Sequence, residues 1–114
     1  FMIGHAFEEF SFINTRIEID GESCEFFQLF TFSNIECYDS LNIREFPNLN
    51  NLPKVREIYF HNKQYRDIPE NAFINYTQIV TLSLSRNAIE FIYRESFNGL
   101  IFLRMLILNR NKLR

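Results

Sequence analysis

Apolar and polar residues alternate in a short pattern that returns every 24 residues in the second half of the chain. The stretches LSLSRNAI and LILNRNKL, which begin at Leu82 and Leu106, show it most clearly. The columns that hold only apolar or aromatic residues are Val55, Ile79 and Leu103; Ile58, Leu82 and Leu106; Phe60, Leu84 and Leu108; Tyr65, Ile89 and Leu113; Ile68 and Ile92; Phe73 and Phe97; and Tyr76 and Leu100. Each L-x-L predicts a short strand with its apolar side inward. Because one such unit cannot bury that side alone, the copies are expected to stack into a solenoid.

An asparagine follows the strand in two of the copies, where the chain is expected to turn away. The side chains of Asn87 and Asn111 can point inward and bond backbone groups that have no partner in the sheet. A buried, unpaired amide would cost roughly 1–3 kcal/mol, so the turn needs such a residue. The first copy has Lys63 in this column, with Asn62 beside it. Either the turn is shifted by one residue, or the first coil is irregular.

This pattern resembles the leucine-rich repeat in the form L-x-x-L-x-L-x-x-N-x-L-x-x-I-x-x-x-x-F-x-x-L-x-x, which is common in extracellular proteins. The resemblance covers residues 55–114, as repeats 55–78, 79–102 and an incomplete 103–114. It implies an α/β solenoid, coiled right-handedly, with a parallel sheet on the concave side. The convex side is expected to be irregular, 3-10 or helical, including PENAF (69–73) and RESF (94–97), with Phe73 and Phe97 filling the core.

Residues 1–54 are predicted to form an N-terminal capping region. The segment IECYDSLNIREFPNLNNLP (35–53) is similar to the cap of extracellular leucine-rich-repeat proteins, in which V-x-C is followed by L-x-x-V-P. That cap usually has four cysteines, whereas this chain has only Cys24 and Cys37. The resemblance implies a Cys24–Cys37 disulfide, which would contribute roughly 3 kcal/mol by closing a loop of about 14 residues. The alternatives are two free buried thiols in a cytosolic protein or a catalytic cysteine.

The segments before the cap motif have a weaker pattern. FEEFSF and TRIEID alternate enough to predict short strands, with Gly21 in a turn. EFFQLFTF (25–32) is expected to be a further strand or a short helix. The chain has 14 Phe residues, and the aromatic density here indicates that these segments cover an edge or end of the sheet.

Length and charge narrow the class of protein. A chain of 114 residues with 46% hydrophobic content fits one modest domain, and its net charge of -2 argues against a nucleic-acid partner. It contains no glycine-rich phosphate loop and no run of 18 apolar residues, so we expect no cofactor and no membrane span in this segment. Both ends look cut, which indicates a mature form or a fragment.

Two further motifs carry possible chemistry. Asn75-Tyr76-Thr77 is an N-x-T sequon on the predicted convex side, so Asn75 is expected to be glycosylated if the protein is secreted. His61 shares a column with Ser85, a pairing that would suit a hydrolase. Because no Asp lies in that row and no G-x-S-x-G turn is present, a surface histidine is the preferred interpretation.

The concave face is the predicted functional surface. Its non-leucine positions, Ser83 among them, are expected to face solvent. The predicted contact set for a protein ligand is Tyr59, His61, Arg86, Met105, Ile107 and Arg110. An uncapped last coil is expected to expose Leu106, Leu108 and Leu113, which predicts a homo- or hetero-dimer or an aggregating chain.

The first functional hypothesis is a non-enzymatic protein-binding module of a secreted or cell-surface protein, which recognises a ligand or pathogen in innate immunity or signalling. Toll-type ectodomains fit the resemblance, and the two-cysteine cap loosely resembles leucine-rich-repeat immune proteins of insects. The second hypothesis is a structural or adhesive extracellular scaffold without a single ligand patch. An enzyme, the third hypothesis, would require hydrolysis that depends on His61.

Overall fold

The fold is built around one sheet, most of it contributed by short strands. A computed structural model describes residues 12–29, 32–37, 45–49 and 52–113. Their strands are β1 (Phe12–Ile19), β2 (Glu22–Leu29), β3 (Phe32–Cys37), β4 (Glu57–Phe60), β5 (Asp67–Ile68), β6 (Thr81–Ser83), β7 (Phe91–Ile92) and β8 (Met105–Ile107). The six-stranded sheet has the order β1-β2-β3-β4-β6-β8, and β5 pairs with β7 in a separate two-stranded sheet.

The first three strands form an antiparallel meander. Asp20 and Gly21 join β1 to β2 and both have positive φ, 50° and 84°, as a two-residue hairpin turn of this hand requires. The predicted turn at Gly21 is therefore present. The segment 25–32 takes the strand alternative over most of its length, because residues 25–29 lie in β2. FEEFSF lies almost wholly outside the described residues.

The remaining strands of the large sheet run parallel, as the repeat predicted. Ile58 lies beside Leu82, and Leu82 beside Leu106, so the register between neighbouring strands is one 24-residue repeat. The backbone contacts that lead into the strands repeat as well. The Arg56 carbonyl accepts from Val80 N at 2.7 Å, and the Val80 carbonyl accepts from Arg104 N at 2.8 Å. The predicted parallel stacking is confirmed.

The segments after the asparagine turns are chains of β-turns. Among the described residues no helix of any kind occurs, so the helical part of the α/β expectation is wrong for them. The N–H groups of Ala72, Ile74 and Tyr76 donate to the carbonyl oxygens three residues earlier. The N–H groups of Ser96, Asn98 and Leu100 do the same. These bonds start at every second residue, and Asn71 has a positive φ of 58°, which interrupts a continuous 3-10 helix.

The core lies between the large sheet and these turns. Phe73 is fully buried, and Phe97 packs against the same cluster. An aromatic group ties the cap to the first repeat, because the Phe46 ring lies 5.1 Å from Tyr65, 5.5 Å from Phe73 and 5.9 Å from Phe60. Burying an aromatic side chain of this kind stabilises a fold by roughly 1.5–3 kcal/mol. The predicted cap and repeats therefore share one core.

Candidate functional site

The side of the six-stranded sheet that faces away from the core is the candidate interaction surface. We call it the open face. Side chains alternate along each strand, so in β3 Ser33, Ile35 and Cys37 are buried while Glu36 is exposed. The first row of the open face is Arg16, Glu25, Glu36, Tyr59, Ser83 and Ile107. The second row is Asn14, Phe27, Asn34, Glu57, Thr81 and Met105.

A polar cluster occupies the middle of the open face. The Tyr59 hydroxyl donates to Glu57 Oε1 at 2.5 Å, and the Tyr59 ring lies edge-on to the His61 ring at 5.8 Å between centroids. His61 Nε2 lies 2.6 Å from Ser83 Oγ. These contacts hold Tyr59 and His61, two members of the predicted contact set, in one fixed arrangement.

Ser83 differs from its sequence expectation. Although it sits in an open-face row, it is only 1% exposed, so the prediction that it faces solvent is wrong. The register places Ser83 directly beside Tyr59, and His61 bonds to its hydroxyl. The serine–histidine contact is therefore His61 with Ser83, and not the His61–Ser85 pair that the column alignment indicated.

Tyr59 is held in its neutral, donating form. Burial, followed by the hydrogen bond and negative charge of Glu57 and then the charge of Glu36, raises the pKa of Tyr59 to about 12. Both carboxylates therefore act on the same hydroxyl. A ligand at this position meets a phenol that donates to Glu57 and a surface that carries negative charge.

The other predicted contact residues are spread over the end of the sheet. Met105 is 53% exposed in the second row, and Ile107 is half-buried in the first row, next to Ser83. Arg86 and Arg110 are exposed at the turns that follow β6 and β8, with φ of 57° and 60°. The structure thus brings Tyr59 and His61 into contact, whereas the two arginines lie on successive turns.

The carboxylates on the cap strands were missed by the sequence-based contact set. Glu25 and Glu36 lie opposite each other on β2 and β3, and Glu36 lies beside Tyr59 on β4. The I-E-C triplet carried the available signal, because alternation around two inward residues places Glu36 outward. The triplet does not show that β3 joins the sheet of the repeats, and this pairing is what places Glu36 beside Tyr59.

The asparagine columns bond each coil to the one before it. Asn87 Oδ1 accepts from Lys63 N at 2.8 Å, and its Nδ2 donates to the carbonyls of Phe60 and Leu84 at 2.8 and 2.9 Å. Asn87 Oδ1 also accepts from Tyr65 N at 3.4 Å, and Asn111 repeats this contact and the carbonyl contact one repeat later, with Ile89 N at 3.1 Å and the Leu84 carbonyl at 2.9 Å. Each amide therefore satisfies backbone groups that the sheet leaves unpaired.

We call the column of Asn87 and Asn111 the asparagine ladder. In the first coil, Lys63 occupies this column and places a charged side chain where the later coils have an amide. The residues before the ladder column, Asn62, Arg86 and Arg110, all have φ between 56° and 60°, so the turn is not shifted. The first coil is instead irregular one residue later, where Gln64 has a φ of 62°. Of the two alternatives left open by the sequence, the irregular first coil is therefore the one that the structure shows.

The Lys63 side chain forms a buried ion pair with the cap. Its Nζ lies 3.1 Å from Glu22 Oε1, and the two side chains are 0% and 1% exposed. The Tyr65 hydroxyl donates to both Glu22 oxygens, at 2.9 and 2.8 Å. Burial and the Glu22 charge raise the pKa of Tyr65 above its ordinary value. The group links β2 of the cap to the first repeat.

The two cysteines form a disulfide on the inward side of the sheet. Cys24 and Cys37 lie directly opposite each other on β2 and β3, with their sulfur atoms 1.99 Å apart. Both side chains are buried, so neither is placed as a nucleophile. The bond fixes the hairpin that carries Glu25 and Glu36.

The sequon lies away from the open face. Asn75 and Thr77 are exposed at the end of the 70–75 turn, while Tyr76 between them is buried. The Tyr76 hydroxyl donates to the Leu49 carbonyl and accepts from Leu52 N at 3.1 Å. The central residue anchors the segment and leaves the amide and the threonine accessible.

The parts of the chain that the structure describes contain neither a metal-binding group nor a membrane-spanning helix. No group of three or more His, Cys, Asp or Glu side chains in those parts is placed to hold a metal ion. A search of the same residues finds no helix long and apolar enough to cross a membrane.

The stacked parallel strands and the asparagine ladder define the class of protein. Residues 53–113, more than half of the chain, match the family described as Leucine rich repeat. The chain belongs to the leucine-rich-repeat family. It is similar to Leucine-rich repeat-containing G-protein coupled receptor 5 of Xenopus tropicalis and to receptor 5A of Xenopus laevis, with 38% identity over 69 residues in both cases. The match covers 60% of this chain and 8% of each receptor, so the chain spans a small part of their length.

Proposed function

We propose that this chain is a non-enzymatic protein-binding segment of a secreted or cell-surface leucine-rich-repeat protein, with the open face as its contact surface. The observation that carries the proposal is the rigid sheet on which Tyr59, Met105 and Ile107 are presented in two adjacent rows. Tyrosine and partly exposed apolar residues are frequent anchors of protein interfaces. Because the sheet is formed before binding, little ordering entropy is lost when a partner docks.

An extracellular setting is part of this proposal. The Cys24–Cys37 disulfide supports it, because disulfides persist in oxidising compartments and are rare in the cytosol. The exposed sequon at Asn75 also supports it, since N-linked glycosylation occurs on surface segments of secreted proteins. The names of the two related receptors favour ligand recognition in signalling.

Pathogen recognition in innate immunity is a finer form of the proposal. It rests on the two-cysteine cap, which loosely resembles that of leucine-rich-repeat immune proteins of insects, and on the repeat pattern, which Toll-type ectodomains also fit. The similarity to G-protein coupled receptors favours a signalling receptor instead. Both forms require the same event, which is docking of a protein on the open face.

A structural or adhesive scaffold is the alternative, and one observation favours it. Apolar side chains are exposed around β8, with Phe102 at 64%, Leu106 at 38% and Leu113 at 42% exposure. The residues one repeat before Leu106 and Leu113 are Leu82 and Ile89, and both are fully buried. Such a surface is suited to contact with a further stacked coil or with another chain, and a scaffold would use the second contact, as a homo- or hetero-dimer.

The test compares two matched double variants against a panel of purified extracellular proteins. Tyr59→Ala with Met105→Ser alters the open face, and Tyr93→Ala with Phe91→Ser alters exposed residues in and just after β7. A protein bound by the unmodified chain is expected to lose binding to the first variant and keep binding to the second. The reverse pattern would contradict the proposal. Binding that depends instead on Phe102 and Leu113 would favour the scaffold.

A further inference from the structure

The open face consists of an acidic half and an apolar half. Glu25, Glu36 and Glu57 lie on the successive strands β2, β3 and β4. Met105 and Ile107 lie two strands beyond β4, on β8. The antiparallel cap strands therefore enlarge the surface offered by the repeats, and β2 and β3 add the carboxylates of Glu25 and Glu36 to it.

The carboxylates of the acidic half lack a cation from the rest of the described chain. Arg16 is the register neighbour of Glu25, but the ion pairs that the described residues form are Lys63–Glu22 and Arg66–Glu90. Like charges placed directly opposite each other on a sheet destabilise it. The described residues also form no group placed to hold a metal ion, so the carboxylates are available to a cationic group of a partner.

The length of one row sets the distance between the two contacts that such a partner would make. Glu36, Tyr59, Ser83 and Ile107 are register neighbours on β3, β4, β6 and β8, which makes three steps between strands. At roughly 4.8 Å per step, the Glu36 and Ile107 positions are about 14 Å apart. An extended polypeptide advances about 3.4 Å per residue, so about four residues cover this distance, and residues i and i+4 point to the same side.

Resting on the proposed function, we propose that the partner lays an extended polypeptide segment across the open face. A Lys or Arg of that segment faces Glu25 and Glu36, and a large apolar residue four positions away faces Met105 and Ile107. Tyr59 lies between the two contacts. Phosphate-bearing partners, such as nucleic acid or an anionic membrane, are repelled by the carboxylates at one end of this row.

The experiment selects linear random peptides from a displayed library on the full chain at low salt. We expect the selected peptides to carry a basic residue and an apolar residue four positions apart. For such a peptide, Glu25→Gln/Glu36→Gln is expected to weaken binding about tenfold, the effect of one well-formed charge contact. The matched control, Glu45→Gln/Glu70→Gln, removes the same charge at exposed positions outside the open face and is expected to leave binding unchanged.

The outcomes separate this inference from the proposed function. Peptides that lose binding to Tyr59→Ala/Met105→Ser but bind the glutamine variant normally would overturn the charge assignment alone. Peptides that are insensitive to every open-face change would overturn both. Failure to enrich any peptide over the glutamine variant would also overturn the inference. Both glutamate side chains are at the surface, so thermal unfolding of the glutamine variant is expected to match that of the unmodified chain or exceed it.

Discussion

Lys63 Nζ lies 3.1 Å from Glu22 Oε1 in the core, and this ion pair joins the first coil to the capping hairpin. Desolvation makes such a pair a weak source of net stability, but removal of one partner leaves a buried charge uncompensated. Because the Tyr65 hydroxyl also bonds Glu22, the carboxylate has two donors. Replacement of both side chains together is therefore expected to be tolerated better than replacement of either one alone.

Substitution of one partner is predicted to be more damaging than substitution of both. Glu22→Gln or Lys63→Asn alone should lower the free energy of unfolding by about 3–5 kcal/mol, whereas Glu22→Gln with Lys63→Asn should lower it by less. The double variant removes both charges and restores an asparagine to the ladder column. Urea unfolding of the three variants gives the comparison.

The exposed pair Arg66–Glu90 provides the control. Its atoms are 3.7 Å apart, and Arg66 is 61% exposed, so Glu90→Gln should change stability by less than about 1 kcal/mol. Strictly additive effects at Glu22 and Lys63 would show that the two side chains do not interact in the folded protein.

The ladder asparagine of the second coil is predicted to be structurally necessary. Asn87→Ala removes the bonds to Lys63 N and to the Phe60 carbonyl, which should cost about 1–3 kcal/mol. Asn98→Ala, which removes an exposed bond to Asn71, should cost much less. The midpoint of denaturant unfolding measures both. Equal losses would show that the ladder bonds contribute nothing specific.

A single glycan is predicted at Asn75. Expression through the secretory pathway should add the mass of one N-linked glycan, which peptide N-glycosidase removes. Either Asn75→Gln or Thr77→Ala should abolish it, because the sequon requires both residues. Asn98→Gln is the control, since Asn98 lies on an equivalent exposed turn without a sequon. An unmodified secreted chain would contradict the prediction.

The contribution of Tyr59 to the stability of the folded chain is predicted to be lost at alkaline pH. Its folded pKa is raised to about 12, above the ordinary value of 10, so its contribution to stability is fully present below pH 10. That contribution is lost as the pH rises from about 10 to about 12. Tyrosinate absorbance should show a late-titrating component that Tyr59→Phe removes, in addition to that of Tyr65, whose pKa is also raised. Titration of Tyr59 at its ordinary pKa would mean that Glu57 and Glu36 do not act on it.

The repeats were predictable because their signal is periodic. Val55 and Ile79 are both fully buried and begin equivalent coils, as expected from columns of apolar residues. The turn chains at 70–75 and 94–99 were less predictable, because the same residues suit turns or a 3-10 helix. In the first of them, the positive φ of Asn71 interrupts the helical alternative, and that φ is not evident from the column of the residue.

The candidate site was predictable only in part. The repeat placed Tyr59, Met105 and Ile107 on one side of the sheet, but it gave no information on how the cap strands join that sheet. The pairing of β3 with β4, which brings Glu36 next to Tyr59, depends on tertiary packing. Likewise, the bond of His61 to Ser83 depends on the directions in which the two side chains point, which the alignment of columns does not give.

Hydroxyl-radical labelling of the chain, free and bound to a protein partner, tests most directly whether the open face is the contact surface. Met105 and Tyr59 report on that face, and Phe91 and Tyr93 report on the exposed aromatic pair in and just after β7. We predict that a bound partner lowers oxidation of Met105 and Tyr59 and leaves Phe91 and Tyr93 unchanged. Protection of Phe91 and Tyr93, with Met105 and Tyr59 as reactive as in the free chain, would contradict the account.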